Sequence, residues 1–369
     1  MNKPLNILIC PLEWGLGHAA RMIPLARKLR EMNNNIIIGS GEEHSSLFRN
    51  ELPGLEFINF PGFKPGYSRF LPQYLYLLFK IPLLLYHIIM EHHRLRRIIG
   101  ENAIDMVISD NRFGLWNRKI TSVYITHMPL IPFPGHLRFL EPLGVLIHRI
   151  IIKKYSFCFI PDLPGDLNLS GRLSHDIKLP DNLRYIGILS RFISPDKSMN
   201  ENPVEFPHYT VILSGPEPQR DILKKKLTAL LKDKEPMTVM LEGKPGKGDG
   251  ILKKGKIIFF NHLPAPRMKN IITESDYIIS RSGYTTIMEL ISLNCTALLI
   301  PTPGQTEQEY LAEYLSEKGW FYTVSQIELK AGIPVISDKP CWPDGIIEQS
   351  NILLTKALDE LLEKHHNKG

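Results

Sequence analysis

The strongest constraint on this chain is a regular alternation of short apolar runs with longer amphipathic stretches, and the pattern occurs twice. In the first half, residues 7–10, 35–39, 55–60, 106–109 and 122–126 read as strands, with a helix near 19–32. Such runs lack strict polar alternation. They therefore fit strands covered on both faces, in a parallel sheet with helices above and below. The second half repeats the plan: strands at 209–213, 237–241, 256–260, 277–280, 296–301 and 320–324, and a helix at 219–231. Between them lies S-P-D-K-S-M-N-E-N-P-V-E-F-P, a polar, proline-bearing linker at 194–207. The division predicted is 1–193, linker 194–207, 208–345, and a closing amphipathic helix within 346–369 for which the N-terminal domain offers a packing place. Two doubly wound α/β domains would then face each other across a cleft at the carboxyl ends of their strands, where such folds take ligands.

Composition narrows the company this chain keeps. Its 369 residues are 43% hydrophobic and 22% charged, enough to bury a real core. A net charge of +6 and a pI near 8.9 favour anionic partners, phosphorylated substrates or an acidic membrane surface among them. Nucleic acid is set aside, because the basic clusters are not interleaved with aromatic rings. The four cysteines are far apart and form no C-x-x-C, which fits free thiols in a reducing cytoplasm. The apolar segment at the N-terminus is short and reads as a first strand, not a signal peptide. Lys80 and Pro82 interrupt the apolar stretch 70–99, so it is no membrane span. Two places for it stay open: burial within the domain, or the surface of a bilayer at the inner face of the cell membrane, with Arg94, Arg96 and Arg97 at the phosphates.

The glycine turns carry the chemistry. After the first strand comes E-W-G-L-G-H-A-A-R, Glu13 to Arg21. Gly15, Gly17 and Ala20 fit G-x-G-x-x-A, with Glu42 at a distance suited to a ribose, so a nicotinamide dehydrogenase is one reading. His18 argues against it. At a helix N-terminus the dipole disfavours imidazolium, leaving a neutral ring able to deprotonate a hydroxyl; a capping or packing histidine is the alternative. In the second half, S-R-S-G-Y-T-T-I-M-E-L-I ends a strand and opens a helix. Ser282 is expected to cap that helix, and Gly283 to let a phosphate reach bare amides. Thr285 and Glu289, four apart, share a face, and the carboxylate suits a pair of ribose hydroxyls. In P-T-P-G-Q-T-E-Q-E-Y, Thr306 and Glu309 have capping-box spacing. Gln305, Glu307 and Gln308 remain at the cleft mouth, suited to a hydroxyl-rich ligand.

Together G-L-G-H, R-S-G-Y-T-T-I-M-E and P-T-P-G-Q-T-E-Q-E-Y resemble the GT-B glycosyltransferases. The resemblance is strongest to the family-28 group, typified by the N-acetylglucosaminyltransferase of peptidoglycan lipid-intermediate synthesis. It implies two Rossmann-like domains and a nucleotide-sugar co-substrate, usually a uridine diphosphate sugar, held by the second domain. Glu289 matches the ribose-binding glutamate, Ser282 and Gly283 the diphosphate turn, Gln308 and Glu309 the polar pair at the donor sugar, and Leu263 the backbone that reads the base. His18 matches the histidine of the acceptor-side loop, where Gly15, Gly17, Glu13 and Arg21 also lie, and Asp110 the aspartate that orients it. The loop S-G-P-E-P-Q-R departs from the family's glycine-rich one, although Arg220 can compensate, and Glu13 and Trp14 depart from its glycine-dense turn. The expected reaction is an inverting sugar transfer to a hydroxyl of a glycan or lipid-linked acceptor. With no D-x-D in the chain, no metal is expected, and Gly283, Arg281 and Arg220 would meet the diphosphate charge. A nucleotide-sugar epimerase or hydrolase, and a non-catalytic nucleotide-sugar-binding subunit of a membrane complex, are the alternatives.

Overall fold

The computed structural model describes residues 3–64, 66, 73–193, 208–215, 217–233, 237–244, 250–334 and 342–367. The expected linker 194–207 and Cys341 lie outside them. The N-terminal sheet contains β1 (Asn6–Cys10), β2 (Asn35–Ser40), β3 (Glu56–Asn59), β4 (Met106–Asp110), β5 (Thr121–Ile125), β6 (Phe157–Ile160) and β7 (Leu183–Tyr185). Its order is β3-β2-β1-β4-β5-β6-β7 and every pairing is parallel. The helices around it are α1 (Leu16–Glu31), α2 (Glu42–Glu51), α3 (Gln73–Phe79), α4 (Ile81–Glu101) and α5 (Glu141–Ile152).

The C-terminal sheet holds β8 (Tyr209–Ile212), β9 (Thr238–Leu241), β10 (Ile251–Lys254), β11 (Ile257–Phe260), β12 (Tyr277–Ser280), β13 (Leu298–Leu299) and β14 (Tyr322–Thr323). The order is β10-β11-β9-β8-β12-β13-β14, parallel except for the β10–β11 hairpin. Helices α6 (Gln219–Leu231), α7 (Ala265–Thr273), α8 (Tyr284–Ser292), α9 (Thr306–Glu317) and α10 (Ile346–His366) complete the chain. The strand order reverses beside β1 in one sheet and beside β8 in the other. Both switch points open at the carboxyl ends of the strands.

Apolar burial explains the elements. Ile7, Leu8, Ile9 and Cys10 of β1 are fully buried, and so are the inward residues of its neighbours β2 and β4. Alternate residues then divide between the two faces. Ile7 and Ile9 pack with α1 residues such as Met22 and Leu25, whereas Leu8 and Val107 pack with Leu95 and Ile98 of α4. Tyr124 and Cys158 carry that second face onward to Ile152 of α5. Registers Leu8↔Val107 and Val107↔Ser122 set β1, β4 and β5 in step, so α4 and α5 lie side by side on one face of the sheet.

Helix α10 follows the C-terminal sheet in sequence but packs on the edge of the N-terminal one. Arg184 of β7 donates Nε to Glu360 Oε2 at 2.8 Å and Nη2 to Oε1 at 2.6 Å. Ser350 Oγ accepts from Ile188 N at 3.0 Å. Gly187, at φ 71°, lies directly beneath Ser350, and a Cβ there would sit 2.3 Å from the Ser350 Cα. Gly187→Ala therefore combines left-handed strain with a backbone collision, and is expected to destabilise the chain by about 2–4 kcal/mol, read as a lowered midpoint of chemical unfolding.

Candidate active site

The turn after β1 brings Gly15, at φ 80°, to the start of α1. No side chain caps that helix, and its first turn carries no acid. His18 sits in this first turn, and Arg21 three residues on lies on the same face. Both converge on Asp110, the last residue of β4, which is fully buried. His18 Nδ1 is 2.8 Å from Asp110 Oδ2; Arg21 Nε donates to Oδ2 at 3.1 Å and Nη2 to Oδ1. Nδ1 also lies 2.9 Å from Arg21 Nη2. An ionised carboxylate only accepts, so the 2.8 Å contact requires the proton on Nδ1, and Nε2 keeps its lone pair. The side chain of His18 is 15% exposed.

Electrostatics favour the same state. Burial pushes the His18 pKa down, the Arg21 charge adds to this, and Asp110 opposes it; the net shift is downward and the ring is neutral. For Asp110, burial raises the pKa, but Arg21 and then His18 outweigh it and hold the carboxyl below its ordinary range. Neutral imidazole, ionised carboxylate and guanidinium share one pocket, and the buried charges compensate each other.

The network continues to a residue that the motifs do not mark. Arg21 Nη1 is 3.1 Å from His127 Nδ1, just beyond the end of β5. His127 Nε2 donates to Glu307 Oε1 at 2.7 Å, and its ring stacks on Tyr284 at 4.2 Å. Glu307 belongs to α9 of the other domain. Burial opposes its charge, but His127, then His18 and Arg21, keep its pKa below the ordinary value. A single chain of contacts thus runs from Asp110 through Arg21 and His127 to Glu307. A signal for His127 exists in the sequence: it follows the strand next to the one that ends in Asp110, the edge where such sheets hold their ligands.

On the C-terminal side several expectations are corrected. Gly283, not Ser282, occupies the N-cap of α8. Ser282 is fully buried and donates Oγ to the Gln308 carbonyl at 2.8 Å, which ties α8 to α9. The α8 amides are uncapped by any side chain, and a Cβ at Gly283 would meet nothing closer than 3.9 Å, so the approach is open. Arg281 does not reach toward a diphosphate. It is buried, and its Nη atoms donate to the carbonyls of Ile300, Pro301 and Gln219 and to Gln326 Oε1. Arg220 is held by Glu217 at 2.9 Å and by the Gly243 carbonyl. The box at Thr306 and Glu309 is not formed either. Gln305 is the N-cap, Thr306 Oγ1 donates to Pro132 O, and Glu309 accepts from Gly304 N at 2.8 Å. Gln308 Oε1 accepts from Thr302 N at 2.9 Å, and Leu263 lies buried in the turn before α7.

Thr285 and Glu289 do share a face of α8, but that face is closed against the N-terminal domain. Thr285 Oγ1 donates to the Gly17 carbonyl at 3.0 Å, and a Cβ at Gly17 would lie 3.1 Å from that hydroxyl. Glu289 Oε1 pairs with Arg191 Nε at 2.8 Å, and Arg191 also lies 3.6 Å from Glu51. The carboxylate expected to hold ribose is therefore a buried ion-pair partner, because a charge this far from water needs a countercharge. Burial raises its pKa, Arg191 opposes, and the net direction is up. On the acceptor side, Glu13 is likewise engaged: it accepts from Gly41 N and pairs with Lys64 at 3.3 Å.

Residues 251–334 match the glycosyltransferase family 28 C-terminal domain. Solved structures agree over almost the whole chain. The glycotransferase of kitacinnamycin superposes with a TM-score of 0.60 at 13% identity, covering 99% of this chain and 96% of that one. The glycosyltransferase SnogD from Streptomyces nogalater gives 0.57 at 14%, covering 99% and 98%. The chain has the GT-B fold. Two relatives described as uncharacterized glycosyltransferases, from Methanosarcina acetivorans and Methanosarcina mazei, are 27% identical over 212 residues and 26% over 245. The alignments cover 55% and 63% of this chain, and the chain spans 54% and 63% of the relatives' own lengths.

Within the GT-B architecture, the Arg191–Glu289 pair is a second charged contact across the seam between the domains, beside His127–Glu307. Removing the cation strands a buried carboxylate. Arg191→Ala should cost about 3–5 kcal/mol in urea unfolding, and Arg191→Ala with Glu289→Gln should recover part of it.

Proposed function

We propose that this chain is an inverting glycosyltransferase. It would move a hexosyl or N-acetylhexosaminyl group from a nucleotide sugar, uridine diphosphate-linked, to an acceptor hydroxyl on a glycan or lipid. The family-28 match and the GT-B neighbours support sugar transfer, and one neighbour, the spinosyn rhamnosyltransferase, is complexed with thymidine diphosphate. The observation that carries the mechanism is the His18–Asp110 contact at 2.8 Å at the carboxyl end of the N-terminal sheet.

In this reading His18 Nε2 takes the proton of the acceptor hydroxyl as the oxygen attacks the anomeric carbon. The bond to the diphosphate breaks on the opposite face. Asp110 fixes the tautomer and stabilises the imidazolium that forms. The uncapped α8 amides at Gly283 meet the charge growing on the leaving diphosphate, with the helix dipole behind them. Because Arg281 is committed to carbonyls, metal-free stabilisation would rest on those amides and on Arg220 released from Glu217. Glu307 and Gln308 reach the donor sugar from α9. A ribose role for Glu289 would require Arg191 to leave it.

The pH profile carries a sign. The active form of His18 is neutral, and its folded pKa lies below 6.5. Activity should therefore stay level across the neutral range and fall only as pH drops through that lower value. Arg21→Gln removes one cause of the depression, so the acid limb of kcat/KM should move up toward 6.5. His18→Ala should lower kcat by about 10²–10⁴-fold, and an unchanged rate with purified substrates would remove it as the base.

A thermal-shift panel of nucleoside diphosphates and their sugars tests the donor, because a ligand bound only by the native state raises Tm. Uridine compounds are expected to raise it selectively. Stabilisation by nicotinamide dinucleotides alone would overturn the reading, and donor consumed without acceptor would move it to hydrolysis or epimerisation.

A further inference from the structure

The last two strands of the N-terminal sheet carry, at their amino ends, a group of cations that the candidate active site does not use. Helix α5 ends at Ile152, β6 begins at Phe157 and β7 at Leu183. Among these three ends lies a depression of about 420 Å³, whose polar lining is Arg149, Lys153, Tyr155, Lys178, Asp181 and Asn182. The strands β4 to β7 are parallel. The depression therefore lies at the opposite edge of the sheet from Asp110, which ends β4, and His127, which follows β5.

Its walls are held in place by the fold. Asn182 Nδ2 donates to the Ile152 carbonyl at 3.1 Å and to the Tyr155 carbonyl at 3.0 Å, so one side chain ties the approach to β7 to the end of α5 and the approach to β6. Tyr155 is buried, and its hydroxyl donates to the Arg112 carbonyl at 2.9 Å. Leu179 and Pro180 add an apolar side. A concave place with fixed walls and a few polar groups has the form of a small-molecule site.

Charge selects the occupant. Arg149 is half-buried and its Nε is already out of contact with water. Among the described residues the side chains of Arg149, Lys153 and Lys178 make no hydrogen bond and no ion pair. Deep-set cations elsewhere in the domain are matched: Arg21 meets Asp110, Arg112 meets Glu91 and Arg172 meets Glu141. The carbonyls at the end of α5 attract Arg149 and Lys153 through the helix dipole, but Lys178 lies on another segment and is not explained by it. Asp181 is the only acid in the lining, so three cations face one carboxylate. Cations gathered in a partly desolvated hollow draw in an anion of matching charge. A phosphate monoester has nearly two negative charges and three terminal oxygens, whereas a carboxylate or a phosphodiester has one charge and two free oxygens. Three cations, one of them a guanidinium fork that can take two oxygens, match the monoester.

We infer that this depression binds a small, soluble phosphate monoester, its phosphate held by Arg149, Lys153 and Lys178 and its carbon body against Leu179 and Pro180. The site is a second ligand site of the N-terminal domain, and it stands independently of the sugar-transfer reading.

Titration calorimetry on the full chain tests the site, with glycerol phosphate as the monoester and glycerophosphoglycerol as a diester of similar build. The monoester should bind about tenfold tighter or more, because the diester lacks one charge and one free oxygen. Arg149→Gln and, separately, Lys178→Gln should each weaken glycerol phosphate by about tenfold. Arg220→Gln, at the other end of the molecule's phosphate chemistry, should leave that affinity unchanged. Without ligand, neither lining variant should lower Tm, since each removes an unpaired cation from a crowd of like charges; a cation that served the fold would lower it. The inference is overturned by absence of binding at millimolar glycerol phosphate, or by equal binding of the diester. It is also overturned if either lining variant binds as the parent does, if Arg220→Gln abolishes binding, or if the lost affinity comes with a fall in Tm.

Discussion

A fully buried carboxylate organises this molecule. Asp110 ends the central strand β4 where no water reaches it, so its charge persists only because Arg21 and His18 arrive from α1 to meet it. Three consequences follow. The imidazole is fixed in one tautomer, the guanidinium is held where it can touch His127, and α1 is locked to β4 at its carboxyl end. Hydrophobic packing would hold the same elements together without specifying any of these. The buried charges cost desolvation energy and contribute orientation.

The second organising feature is α8. The sequence R-S-G-Y-T-T-I-M-E reads as a ligand-facing helix start capped by Ser282, whereas in the structure Gly283 is the N-cap and no side chain caps the helix. Its side chains, however, mostly serve the joint between domains: Thr285 on Gly17, Tyr284 on the Pro161 carbonyl at 2.8 Å, Glu289 on Arg191. The helix is at once the floor of one half and the wall of the other, so changes meant to probe a ligand contact there also probe domain docking.

The fold was legible because parallel strands buried on both faces leave near-continuous apolar runs, as at 7–10 and 277–280. It was less legible where that physics is weak. The edge strand β10 is exposed along its length and reads as a lysine-bearing loop, and β13 pairs over only two residues within the longer apolar run 296–301. At the site, residues in glycine turns stood out, and His18 with Asp110 meet across 92 positions. What the sequence hid were partners: nothing local marks Arg191 as the countercharge of Glu289, or Gln308 O as the acceptor for Ser282. A side chain's role is set by what folding places beside it, and two residues far apart in the chain carry no shared periodicity to reveal it.

The course of α10 has a mechanical result. The chain leaves the N-terminal domain once after Arg191, and it returns when α10 lays Ser350 and Glu360 against the edge at β7. Two bodies tethered by one thread can swivel in any direction; joined by two, they are confined to rocking about the line between the threads. Any parting of the domains should thus resemble a clamshell, with the Gly17–Thr285 contact on the jaw and the α10 edge at the pivot.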